Sequence, residues 1–90
     1  MAQFKNLFAQ RLAERLQQLN CNLKAYNPGT IYEPQALLLI DYRGDLLAFL
    51  FFKAITDTIE DTSSKDYSYK LEYQFFPNNQ IGVTIRYSHK

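Results

Sequence analysis

The chain of 90 residues is poor in the residue types on which much small-protein chemistry depends, with one cysteine, one histidine and three glycines. A single cysteine, Cys21, excludes an intrachain disulfide framework and any zinc site built on several thiolates, and a reducing cytoplasm fits it best. Three glycines, none close to another, cannot assemble a glycine-rich phosphate loop. His89 lies one residue from the C-terminus, where chains fray, so it is a poor general base and no Ser–His–acid or Cys–His arrangement is expected around it. The longest apolar run, Leu46–Phe52, is far shorter than the ~20 residues a membrane helix needs. Charges at Lys5, Arg11, Glu14 and Arg15 interrupt the stretch where a secretory signal would need an apolar core. A soluble, cytoplasmic protein with no membrane partner is expected.

Charge of one sign is also scarce. Ten Lys and Arg against nine Asp and Glu leave a formal charge of +1, so no large field exists to gather nucleic acid or anionic lipid. The distribution is uneven: residues 1–26 are basic, 27–66 acidic and 67–90 basic again.

Apolar and aromatic side chains are abundant. The hydrophobic fraction is 47%, with seven Tyr and seven Phe, too apolar for a disordered chain. A chain of this length forms one small domain, taken here as residues 1–90, with a limited core.

Phe4, Leu7, Phe8, Leu12, Leu16 and Leu19 recur at helical spacing, which predicts an amphipathic helix over residues 3–19, stopped by Asn20. The stretch "CNLKAYN" alternates Cys21, Leu23 and Ala25 against Asn22, Lys24 and Tyr26, the period of a half-buried strand, and "NPGTIYEP" breaks it. "YSYKLEYQFF" places Tyr67, Tyr69, Leu71, Tyr73 and Phe75 on one face. After "PNNQ", Ile81, Val83, Ile85 and Tyr87 do the same, a strong hairpin signal.

The middle of the chain, "LLLIDYRGDLLAFLFF", holds two apolar runs around a polar break. Leu47, Leu50, Phe51, Ala54, Ile55 and Thr58 also fit a helical stripe. Glu60 and Asp61 would crowd the C-terminus of such a helix, however, and the Phe-rich run favours strand, so a hairpin turning through Asp41–Asp45 is expected. In that hairpin Ala36, Leu38 and Ile40 share the core face. Leu37, Leu39, Leu47, Phe49 and Phe51 share the other, rimmed by Asp41, Asp45 and Lys53.

The longer stretch "EPQALLLIDYRGDLLAFLFFKA" resembles the central hairpin of restriction-type nucleases of the PD-(D/E)xK superfamily. Lys53 matches the lysine, but Phe51 stands where the acid belongs and Gln35 where the aspartate belongs, so the resemblance supplies no metal ligands. Asp57, Glu60, Asp61 and Asp66 are oxygen ligands in no recognised calcium-loop spacing and read as a solvated acidic segment.

The fold expected is α+β: a single N-terminal amphipathic helix packed on a four- to five-stranded antiparallel, mostly meander sheet. One helix covers one side of such a sheet, which leaves the face of Leu37, Leu39, Leu47, Phe49 and Phe51 to another protein surface. The functional expectation is therefore a non-enzymatic interaction module with no catalytic residue, metal or cofactor. It self-associates through an apolar sheet face, most simply as a homodimer, although an unidentified protein could take the same place. The rival is weak nucleic-acid association through the basic helix face of Lys5, Arg11 and Arg15.

Overall fold

The computed structural model describes residues 6–29, 32–63 and 65–89. Its elements run α1 (Leu7–Gln17), β1 (Cys21–Asn27), β2 (Gln35–Tyr42), α2 (Ala48–Thr62), β3 (Tyr67–Phe76) and β4 (Gln80–His89). The four strands form one antiparallel sheet in the order β1-β2-β4-β3. The architecture is α+β, but with two helices rather than one, and the sheet is not a meander. After β2 the chain crosses through α2 to the far edge, lays down β3, and returns as β4 between them.

Helix α1 begins at Leu7, where the Asn6 side chain caps it by accepting a hydrogen bond from the Ala9 amide at 3.2 Å. It is shorter than the 3–19 span expected, and Phe4 and Lys5 lie outside the described residues. Its stripe of Phe8, Ala9, Leu12 and Leu16 is buried, and Asn20 takes φ 58° just past its end.

In β1 the expected alternation holds for Cys21 and Leu23. Lys24 then forms a bulge, so Ala25 turns outward opposite Leu39 and Tyr26 turns inward opposite Leu38. Tyr26 meets Phe8 of α1 with ring centroids 5.6 Å apart. On β2 and β4 the core-facing residues are Ala36, Leu38 and Ile40 against Ile85, Val83 and Ile81. The β3–β4 hairpin forms through Pro77, Asn78 and Asn79, the two asparagines at φ 67° and 59°.

The expected hairpin over residues 37–52 does not form: its second half is helix α2. Phe51, Ala54, Ile55, Thr58 and Ile59 make one buried stripe over the sheet. The acidic C-terminus that argued against a helix is relieved from outside it. Arg15 of α1 donates one hydrogen bond to the buried Thr58 hydroxyl at 2.8 Å and a second to Asp61. Thr58 in turn donates to the Ala54 carbonyl at 2.6 Å. A cation from a neighbouring helix thus supplies what the local sequence lacks. Because residues 48–62 are helical, the likeness to a nuclease hairpin ends with β2.

Phe51 is fully buried, whereas Phe49, two residues earlier, is 76% exposed. Phe51→Ala is expected to cost about 3–5 kcal/mol, a large share of the roughly 5–15 kcal/mol that stabilises a domain, while Phe49→Ala changes stability by less than about 0.5 kcal/mol. Urea unfolding of both variants at submicromolar concentration, where association does not contribute to stability, checks the ranking. Equal losses would mean that the two rings share one environment, as the strand reading required.

Candidate interaction surfaces

The five residues expected to form one apolar face are divided among three environments. Leu37 and Leu39 lie on the sheet face away from the helices, Leu37 being 44% exposed and Leu39 half-buried. Leu47 and Phe49 are exposed at the start of α2, in the helical layer. Phe51 is core. The common face was a consequence of the hairpin, and it disappears with it.

The open sheet face is small in its apolar content. Beside Leu37 and Leu39, Phe76 lies across Gly82 so closely that a Cβ at position 82 would sit 2.9 Å from the ring. The surroundings are polar: Asp41 accepts from the Gln80 side-chain Nε2 at 2.9 Å and lies 3.7 Å from the Lys24 ammonium, and Glu72 lies 3.4 Å from the Arg86 guanidinium.

The helical layer exposes more. Leu47, Phe49 and Leu50 stand out from the start of α2. Phe52, one helical turn from Phe49, packs against Tyr73 of β3 with the rings tilted and their centroids 4.6 Å apart. Phe75, two residues on from Tyr73 and on the same sheet face, is 60% exposed. The steps from Phe52 to Phe49 and from Tyr73 to Phe75 both run toward the end of the sheet where the Tyr42 amide donates to the Asn79 carbonyl. An apolar band therefore borders the outer side of β3. Sequence reading missed it because Phe75 counted as one more residue of a dry face, with no sign that the face outruns its cover.

At the opposite end of the sheet, a depression of about 960 Å³ opens between the end of β1, the start of β2 and the outer ends of β3 and β4. Tyr26, Tyr67, Tyr87 and His89 are among its walls. His89 is not a frayed tail. It closes β4, opposite Tyr67, with ring centroids 4.5 Å apart. Burial pushes the phenols of Tyr26, Tyr73 and Tyr87 above their ordinary value of 10.0, and for Tyr87 a hydrogen bond with Ser63 opposes the rise. Tyr69 is also raised, first by burial and then by the nearby carboxylates of Glu60 and Asp57. Burial likewise raises the thiol of Cys21.

The acidic segment is occupied by structural contacts, Asp57 with Lys53 at 2.9 Å and Asp61 with Arg15. Among the described residues, no three His, Cys, Asp or Glu side chains converge as metal ligands would, and no helix is long and apolar enough to cross a membrane. The sequence matches no protein-family model, and comparison with curated proteins and with solved structures finds no match.

Four raised phenols make the fold sensitive to alkali. Their ionised forms are disfavoured in the native state, so the stabilisation they give is complete below about pH 10 and is lost as pH rises through the raised native values. The urea midpoint is expected to fall between about pH 9 and about pH 11, in step with tyrosinate absorbance. An unchanged midpoint would show these phenols to be solvated in the native state.

Proposed function

We propose that the chain is a non-enzymatic interaction module that self-associates, most simply as a dimer, through the apolar band of the helical layer beside β3. The observation that carries this reading is the 76% exposure of Phe49, with Phe75 exposed on the neighbouring strand, whereas Leu47 is exposed at the N-cap and Leu50 on the flank of α2 that faces α1. Apolar side chains grouped in this way mark contact surfaces. Burying each is worth roughly 1.5–3 kcal/mol before the costs of association, and a micromolar dimer needs about 8 kcal/mol net. Phe49, Phe52 and Phe75 from each of two copies supply that margin with incomplete burial. The net charge of +1 sets up little repulsion between copies. A cytoplasmic location accords with the buried, unpaired Cys21.

The nucleic-acid reading gains nothing from the geometry. Of the three basic residues that motivated it, Lys5 lies outside the described residues and Arg15 is bound to Thr58 and Asp61, so Arg11 alone carries it.

Sedimentation tests the proposal. The wild type is expected to be dimeric or larger at tens of micromolar. Phe49→Glu dissociates it with the circular-dichroism spectrum unchanged, and Leu37→Glu, on the other face, leaves the assembly intact. A monomeric wild type, or an assembly indifferent to Phe49→Glu, would overturn the proposal.

A further inference from the structure

Strand β3 is an edge of the sheet and is hydrogen-bonded to β4 alone. All ten of its residues run in unbroken register with β4, and "YSYKLEYQFF" contains no proline, glycine or bulge. It spans ~33 Å of regular backbone with one side unpaired. Apart from two charges, it carries none of the devices that keep edge strands from pairing further. The other edge is guarded, since β1 is interrupted by its bulge at Lys24 and followed directly by Pro28.

The two charges of β3 are arranged for another copy of the same strand. On the open face Lys70 stands opposite Arg86, a like-charge pair, with Glu72 diagonal to that arginine. If a second β3 is laid antiparallel against the first with Leu71 on the two-fold axis, each Lys70 stands opposite the second copy's Glu72, and this happens twice. On the helix side the same register sets Tyr69 against the second copy's Tyr73, Leu71 against Leu71, and Tyr67 against Phe75. Neighbouring registers that keep both helical layers on one face do worse. With the axis on Glu72 the two Glu72 carboxylates stand opposite each other, with the axis on Lys70 the two ammonium groups do, and one step further out Lys70 meets Phe76 (axis on Tyr73) or Glu72 meets Asp66 (axis on Tyr69). Charge complementarity therefore selects one pairing, which the flat regularity of the strand permits.

We infer that two copies of this chain join edge to edge through β3, in the register that pairs Lys70 with Glu72 across the two-fold axis, into one eight-stranded antiparallel sheet carrying all four helices on the same face. This rests on the self-association proposed above and specifies its geometry. The contact is isologous, and the apolar band of Phe49, Phe52 and Phe75 borders it on the helical side. Backbone hydrogen bonds along the edge supply affinity, and the alternating side chains supply register.

Charge exchange tests the register, because Lys70 and Glu72 are both exposed and their replacement leaves the monomer folded. Lys70→Glu alone and Glu72→Lys alone each place like charges opposite one another twice, and each should weaken the dimer roughly tenfold by sedimentation equilibrium. The double variant K70E/E72K restores both pairs and wild-type affinity. An equimolar mixture of the two single variants should form the heterodimer in preference to either homodimer, which loss of the intrachain Glu72–Arg86 pair alone cannot produce. Single variants that dimerise as the wild type does, a double variant that fails to recover, or a mixture without preference would overturn the edge pairing. If Phe49→Glu still dissociates the assembly in that case, self-association stands and this geometry falls. A monomeric wild type removes both.

Discussion

The fold depends on the insertion of β4 between β2 and β3. Ile81, Val83 and Ile85 are at most 1% exposed, and they stand opposite Ile40, Leu38 and Ala36 on one side and Phe75, Tyr73 and Leu71 on the other. Strand β2 is flanked in the same way, by Leu23 and Tyr26 of β1 and by β4, but β4 alone separates two strands that are joined to each other through a helix. Since β2 and β3 each run antiparallel to β4, they point the same way, and two strands pointing the same way need a crossover between them. Helix α2 is that crossover. The apolar run Leu46–Phe52 is thereby committed to helix, and its period of 3.6 delivers Phe51, Ile55 and Ile59 onto the sheet.

The two helices are held as one layer by a polar contact in a mostly apolar core. Thr58 is fully buried, and its hydroxyl is satisfied on both sides, accepting from Arg15 and donating to Ala54. Among the described residues no buried side-chain nitrogen or oxygen lacks a partner. Arg15 also meets Asp61, so one guanidinium fixes the relation of α1 to α2 and places positive charge near the negative end of the α2 dipole. The half-exposed Arg15–Asp61 pair contributes little energy by itself, and its larger effect is on the geometry of the layer.

Where sequence reading succeeded, a local pattern was sufficient. The alternation in residues 67–76 and 80–88 survives because each strand has one covered face, and Asn78 and Asn79 adopt the left-handed backbone their side chains tolerate. Helix α1 keeps its stripe for the same reason. Failure came where the deciding partner is remote in sequence. Arg15, 46 residues from Asp61, outweighs the local objection to a helix at 48–62. Ile81 to Ile85 occupy the place beside β2 that a hairpin partner would have taken. The bulge at Lys24 shifts the alternation by one residue, so Tyr26 replaces Ala25 in the core, and nothing in "CNLKAYN" announces it. The candidate surface was legible only as a surplus: more large apolar side chains than a small domain can cover. Their true grouping depended on α2, and so Phe49 and Leu47 were assigned to a face with Leu37 and Leu39 that does not exist.

That surplus follows from the architecture. A four-stranded sheet with both helices on one side has a single dry layer, and a chain of 90 residues lacks the length to add another. The open face copes by mixing its leucines with Lys24, Asp41, Glu72 and Arg86, which interact in pairs. At the β3 side of the helical layer the charges of Lys53, Asp57 and Glu60 come later along α2, so at the start of that helix Phe49 and Phe52 stand beside Phe75 of β3 without them. The apolar band and the unguarded edge arise together, since the outermost strand of a one-sided sheet is also where the helical cover ends. A proline in β3 at a position whose amide faces outward would guard the edge and keep the hairpin with β4, yet leave the apolar band uncovered, because the edge is a matter of backbone groups and the band of side chains.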